Sequence, residues 1–448
     1  NRQEIFYGIS RLAMSLSVEQ IQSLVEPARV HSSVYVDSEI FQLEMQRIWG
    51  RSWIYVGHES QVKNPGDFYT TTLATLPVIM IRDAKSKVIN VLQNRCGHRG
   101  AIVAQQQYGN AKLLRCPYHG WTYRTDGGIH AIPHPKGYED TGFDKCEAQY
   151  SMPKLPRVET YRGFVFACLT DDVPDLFEFL GEIKDTIDNM CDRSPEGEVE
   201  VTGKNCHRFL HPCNWKFFIE NLHDAMHPMC AHAGTSAAVQ SYLSSLPEGT
   251  AASPEAEVID PFSGSYEFFD GMGVTALEYG HGYMGGKKSI FSHYEMYPEY
   301  LAAMRAAYGE EGAQEILSFN RHNACCYPSC TIRDAVQSIR VMRPVSVDST
   351  ILESWTFRLK GAPEKLLQRT LRYSRLINSP GSMVGPDDLD CYYRIQESAK
   401  TGSIKWVDLH RYLGQEDEAN GKVTAPGTSD LSIRNQYKAW LNYMSKAV

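Results

Sequence analysis

The sequence predicts an α+β protein in which a small all-β domain interrupts a larger domain of helices and antiparallel strands. Three observations carry this. The first fifty residues show helical spacing, the next stretch breaks into short β-rich runs, and the remainder returns to mixed helix and strand. A length of 448 residues accommodates two or three domains, each with ample core. We place an N-terminal helical segment at 1–50, the β domain at 51–168 and the mixed domain at 169–448.

Ser17-Val18-Glu19-Gln20 has capping-box form, and Pro27 closes the helix it begins. A second helix is predicted from Asp37 or Ser38 to Gly50, with Ile40, Phe41, Met45, Ile48 and Trp49 near helical spacing. The period then changes. Trp53–Val56, Phe68–Leu73, Val78–Arg82 and Val88–Leu92 are β-rich runs separated by Pro65-Gly66, Pro77 and Lys85-Ser86. Asp126-Gly127-Gly128 marks a hairpin turn, and Gly163–Cys168 gives a last strand. Further on, helices are predicted over Cys213–His227 and Glu299–Tyr308, the latter ended by Gly309, with strands at Ser338–Met342 and Leu352–Leu359. The stretch 245–265, rich in Pro and Gly, reads as a long surface loop or lid.

Composition excludes several classes. A net charge of −8 argues against nucleic acid as partner and gives no anionic-membrane patch. The longest apolar stretches, such as Phe164–Leu169, are too short to span a bilayer. No charged-then-apolar segment opens the chain, which begins at Asn1 without Met. Twelve cysteines are too sparse for a disulfide scaffold, and adjacent Cys325-Cys326 fits reduced thiols, so a cytoplasmic setting is expected.

Two pairs, Cys96-x-His98 and Cys116-x-x-His119, each offer one thiolate and one imidazole, with 17 residues between them. Two such loops can hold a [2Fe–2S] cluster with both thiolates on one iron and both imidazoles on the other. Neutral histidines in place of two thiolates raise the reduction potential above that of an all-cysteine cluster, which suits one-electron relay. The bland alternative is structural zinc, which also takes Cys2His2 ligation. Zinc sites usually group like ligands together, whereas each pair here mixes them. The strings CGHRG and CPYHGW closely resemble the two binding loops of Rieske proteins.

A second cluster lies in Asn214–His232, with histidines at 223, 227 and 232. His223 and His227 are four apart and share a helix face. His232 lies roughly 140° around a regular helix from His227, but Pro228 breaks the helix and lets it swing back. Spacing alone leaves both pairs, 223/227 and 227/232, open. The string NWK…EN…D-x2-H-x4-H is similar to the mononuclear iron motif of ring-hydroxylating Rieske oxygenase α subunits, and the similarity runs over nearly the whole chain. That resemblance implies His227 and His232 as iron ligands, with Asp388 of Gly385-Pro386-Asp387-Asp388-Leu389 as the carboxylate and Asp387 and Asp390 as competitors. It implies an all-β Rieske domain inserted in a catalytic domain of helix-grip, START-like type, onto which the N-terminal helices pack. It also implies that Asp224 bridges His227 to a Rieske histidine, His119, of an adjacent subunit; otherwise Asp224 is an exposed helix acid.

The two centres complement each other. A triad of two imidazoles and one carboxylate binds Fe(II) and leaves positions open for O2, while a cis-diol needs two electrons from outside. Dihydroxylation of an aromatic ring is the expected reaction. The rivals are a monooxygenase or O-demethylase, an electron carrier and a zinc-stabilised scaffold. No dinucleotide fingerprint appears, so NAD(P)H electrons would arrive through a separate reductase, with or without a ferredoxin. The resemblance points to a small β subunit in an α3β3 assembly, or to a bare α3 trimer. It leans toward aromatic carboxylic acids as substrates, with Arg321, Arg333 and Arg340 as unranked candidates to hold the carboxylate and Met226 as a pocket residue. His207 and His211 read as core, surface or supporting histidines, Arg99 and Trp121 as loop supports, and Cys206, Cys213, Cys230, Cys325 and Cys326 as buried small residues.

Overall fold

The computed structural model describes residues 16–203, 206–285, 294–319, 321–419 and 422–446. They form two compact units, one spanning Trp49–Leu176 and the other joining Leu16–Ile48 to Phe177 and the rest of the chain.

The first unit is all-β. Ile54–His58, Phe164–Cys168 and Arg157–Tyr161 form one antiparallel sheet, and Phe164–Cys168 is buried at every position. A second sheet runs Ile89–Gln93, Leu76–Arg82, Asp67–Leu73 and Tyr108–Asn110. Its tightest hairpin turns at Ala74-Thr75 and not at Pro77, which lies inside a strand opposite Thr72. The third sheet joins Leu113–Arg115, Thr122–Arg124 and Ile129–Ala131, and Gly127 at φ +92 makes the turn expected at Asp126-Gly127-Gly128. The two Cys/His loops are thus connections between strands, and both cysteines are buried with Phe68, Ile79, Leu92, Trp121 and Tyr123.

The second unit carries a ten-stranded antiparallel sheet among the described residues. Its main path runs from Val199–Val201 through Ser349–Leu359, Ser338–Ser346, Cys330–Arg333, Arg321–Cys326 and Gly282–Gly285 to Val274–Ala276, Lys422–Ala425 and Asp417–Ala419. The helices Trp215–Asn221 and Leu431–Met444 pack on it. Several expected boundaries move. The helix predicted to His227 stops at Asn221, six residues before His227, because the turn tightens: His223 and Asp224 N–H groups donate to the carbonyls of Glu220 and Asn221. Pro228 begins a new short helix, Pro228–Ala231, where its missing N–H is harmless. Gly309, at φ +76, kinks the helix Pro298–Ser318 without ending it. The stretch read as a loop at 245–265 contains a helix, Pro254–Ile259, capped by Ser253 and buried through Ala256, Val258 and Ile259. Cys230 is exposed and Cys206 half-buried, against expectation, while Cys213, Cys325 and Cys326 are buried.

The N-terminal helix Ser38–Glu44, which continues as a π turn over Met45–Trp49, is joined to the rest of the unit by a buried ion pair. Glu44 accepts from Lys216 Nζ at 2.6 Å, from the Trp215 indole at 2.9 Å and from the Trp440 indole at 2.7 Å. Both charged side chains are almost fully buried. Removing one partner of such a pair strands the other charge in a low dielectric. Glu44→Ala is expected to cost about 3–5 kcal/mol in denaturant unfolding. The double replacement Glu44→Gln with Lys216→Met should recover a large part of that loss.

In the β unit, Asp83 ties the Lys85-Ser86 turn to Thr125. Its carboxylate accepts from the backbone N–H groups of Lys85 and Ser86 and from both hydroxyls. Burial raises its pKa, but these bonds outweigh burial and hold it at about 2. An unfolded Asp titrates near ~3.9. Because the folded value is the lower one, the stability contributed is fully present above the unfolded value and is lost as pH falls toward the folded one. Asp83→Asn should therefore lower Tm at neutral pH, and the gap to the parent protein should close between pH ~4 and ~2.

Candidate metal centres

The two Cys/His loops are built alike. Cys96 N–H donates to Ala101 O and Gly100 N–H returns to Cys96 O; Cys116 N–H donates to Trp121 O and Gly120 N–H returns to Cys116 O. Gly100 and Gly120 both stand at φ +74, so the fifth residue of each loop must adopt the left-handed region. At Gly97 the reason is space, since a Cβ there would lie 2.1 Å from Tyr150 O. The loops bring His98 and His119 to 4.7 Å between ring centroids, with His98 stacked on Trp121 at 4.8 Å. Tyr123 Oη lies 3.0 Å from Cys96 Sγ and accepts from Gly97 N–H. Burial pushes the Cys116 thiol up, opposed by the backbone N–H groups of Tyr118 and His119, which favour its thiolate. Burial, then His119 and Arg99, holds His98 below its ordinary value, and its Nδ1 is buried without a hydrogen-bond partner. Two buried thiols and two adjacent imidazoles, one with an orphaned nitrogen, fit a Rieske cluster. Arg99 is exposed on the loop, and Trp121 supports it through the stack on His98.

In the second unit His227, His232 and Asp388 offer one ligand atom each, all within 4.8 Å of one another. His227 comes from the irregular turn after Asn221, His232 from the end of the Pro228–Ala231 helix, and Asp388 from the first turn of Gly385–Lys400. Asp388 Oδ1 is 3.4 Å from His227 Nε2 and 3.3 Å from His232 Nε2, and the latter nitrogen is buried without a hydrogen bond. Both Nε2 atoms therefore converge on one carboxylate oxygen, the donor set that suits Fe(II) with positions left open. Burial holds His227 below its ordinary value and so keeps it neutral. Burial raises Asp388, but His232 and His227 outweigh it and hold the carboxyl below the usual range.

The competing residues take other places. Asp387 Oδ2 is 3.2 Å from His232 Nδ1, behind the ring, where a carboxylate fixes the tautomer of a ligating histidine. Asp390 turns outward to Arg394. His223 is buried, with Nε2 donating to Asn323 O at 2.6 Å and Nδ1 accepting from Gln436 at 3.0 Å, so neither nitrogen is available. Burial depresses its pKa to about 4. His211 donates to Leu389 O, and His207 lies on the sheet strand His207–His211. The Asp224 carboxylate accepts from Met226 N–H and lies 3.8 Å from Arg411. Asn221 donates to Asp388 Oδ1 at 3.1 Å.

A cavity adjoins the triad. Its wall is mostly apolar, with Phe262, Phe269, Met272, Met284, Ile377 and Val384 drawn from four separate stretches of chain. Spacing could not reveal these residues, which share no local pattern. Met226 is not among them; Leu222 and Ala225 take that position. Arg333 and Arg340 line the cavity, whereas Arg321 pairs with Glu182 and Asp185 elsewhere.

Residues 52–161 match the Rieske [2Fe–2S] domain family, and residues 196–423 match the ring hydroxylating alpha subunit (catalytic domain) family. Toluate 1,2-dioxygenase subunit alpha of Pseudomonas putida is 30% identical over 98% of this chain and 97% of its own. Biphenyl 2,3-dioxygenase subunit alpha of Rhodococcus jostii is 28% identical over 93% and 89%. The fold is shared with naphthalene 1,2-dioxygenase solved with indole bound, at TM-score 0.78, 22% identity and 94% of both chains. No helix among the described residues is long and apolar enough to cross a membrane. A family match over half the chain, and relatives aligned over nearly all of it, show that this chain belongs to the ring-hydroxylating α subunits of the Rieske dioxygenases, which carry a [2Fe–2S] cluster and a mononuclear iron.

Proposed function

We propose that the chain dihydroxylates the ring of an aromatic carboxylic acid, receiving electrons from an NAD(P)H-dependent reductase, directly or through a ferredoxin. A β subunit would accompany it in an α3β3 assembly. In this reading Cys96, His98, Cys116 and His119 hold the cluster, and His227, His232 and Asp388 hold the iron. The chemistry that the two groups supply when bound is one-electron relay and reductive activation of O2. The protein's own residues do the rest. Asp387 orients His232, Asn221 orients Asp388, and the apolar wall beside the triad excludes water from the ring. Asp224 would bridge His227 to His119 of a neighbouring subunit as the electron path.

The observation that carries the substrate class is electrostatic. Arg333 and Arg340 line the cavity, and neither forms an ion pair among the described residues. Burial disfavours the charge on both, so an anion entering the cavity would relieve a standing cost. A relative named for toluate supports the same class.

A single turnover of the reduced, iron-loaded protein under 18O2 with a panel of aromatic acids tests the reaction. Two labelled oxygens in one product are expected. One labelled oxygen would transfer the assignment to monooxygenation or demethylation. In the same assay Asp388→Ala should lose iron and product while keeping the Rieske absorption. Asp224→Asn should keep both metals and slow reoxidation of the reduced cluster by about 10–100-fold. Unchanged reoxidation would remove the bridging role.

A further inference from the structure

Arg333 and Arg340 are diagonal neighbours on one sheet face. Thr331 pairs with Arg340 across Cys330–Arg333 and Ser338–Ser346, and Arg333 lies two residues beyond Thr331, so both arginines point the same way. Their conditions differ. Arg340 makes no hydrogen bond among the described residues, and its Nε is buried without a partner. The Arg333 Nε donates to Asn323 Oδ1, and its two terminal nitrogens make no hydrogen bond among the described residues.

Asn323 is held unusually. On one side of its strand Gly282 pairs with Cys325 and Met284 with His322, so two residues, Asn323 and Ala324, oppose Tyr283 alone. This is a β-bulge, and such bulges re-aim a side chain. Asn323 takes φ +45 there, a left-handed conformation that asparagine tolerates better than most residues. On the other side Ala324 pairs with Ile332, which puts Asn323 next to Arg333 across the strands. Its carbonyl accepts from His223 at 2.6 Å, and its side chain accepts from Arg333. Both ends of the residue are therefore tied.

We infer that Asn323 is a positioning residue that sets Arg333 beside Arg340 as a two-guanidinium clamp for a single carboxylate on the arene. The inference rests on the aromatic-acid reading above and deepens it. A carboxylate has two oxygens and about four lone-pair sites, enough to accept from two planar forks at once. Among the described lining residues there is no Lys or further Arg for a second carboxylate, and Asp224, the acid not assigned to the iron, opposes a dianion. The clamp therefore selects monocarboxylated rings over neutral ones and over dicarboxylates.

Calorimetric binding to the oxidised, iron-loaded protein tests this without turnover, using benzoate, 3-methylbenzoate, phenylacetate, isophthalate and toluene. Rieske absorption and iron content verify the fold of each variant. The parent protein should bind a monocarboxylate more tightly than toluene or isophthalate. Arg340→Gln and Arg333→Gln should each weaken acid binding on the order of 100-fold, with a far smaller effect on toluene. Asn323→Gly keeps the left-handed backbone and loses the hold on Arg333, so acid affinity should fall about 10-fold, the loss of one charge-assisted hydrogen bond. Asn323→Asp should weaken it further, because its carboxylate would compete for Arg333. A merely structural role for Asn323 would weaken toluene and acid alike, and that result would overturn the positioning role. A parent protein that prefers acids, with the preference intact in both arginine variants, would overturn the clamp and leave the substrate class standing. A parent protein with no preference for acids would overturn both, and tighter binding of isophthalate would overturn the single-carboxylate geometry.

Discussion

The second unit depends on the buried contact between Glu44 and Lys216. Two carboxylate oxygens accept from an ammonium and two indoles, carried on helices that are distant in sequence. One turn further along Trp215–Asn221, Glu220 accepts from Tyr35 and Tyr437. Burial pushes its carboxyl up to about 7. This hub locks the orientation of the helix whose last residue, Asn221, donates to Asp388 and whose exit leads to His227. A buried ionic pair is an expensive means of stabilisation, but its directional bonds specify one arrangement where greasy packing would permit several.

Both candidate metal centres obey one rule, that irregular backbone is used where a candidate ligand must point inward. In the β unit, paired loops with a left-handed glycine at the same place turn two Cys/His pairs toward each other. In the catalytic unit the helix stops early, and the irregular turn before Pro228 carries His227, while His232 follows the next short helix. A continuous helix would have favoured His223 and His227. Instead His223 is turned away, held by Asn323 and Gln436. That capture joins the helix leading to His227 to the bulge that carries Asn323, so one buried histidine connects the candidate iron side of the cavity to its arginine side.

The cavity sets two solvents against each other. Aromatic and aliphatic side chains suit a ring, while two guanidiniums in the same low-dielectric space suit an anion. In the proposed reading neutral arenes satisfy only the first, and selectivity would come through groups left uncompensated as much as through groups paired.

By itself the sequence indicated the candidate ligand chemistry and determined the class of fold. Thiolate and imidazole spacing, period-two runs with turn residues between them, and an Asp-Asp pair after Gly-Pro are local features, and local chemistry is legible in order. Spacing did not decide among neighbours, although the resemblance pointed to His227, His232 and Asp388. His223 against His232, Asp388 against Asp387 and Arg340 against Arg321 each turn on what stands opposite the side chain, and that partner lies about 100 residues or more away. The same holds for the helix inside 245–265, whose Pro254 served as a start signal and not as a breaker, because a packing surface awaited Ala256 and Ile259. Only tertiary structure brings such partners together, since burial and hydrogen-bond satisfaction are properties of space and not of spacing.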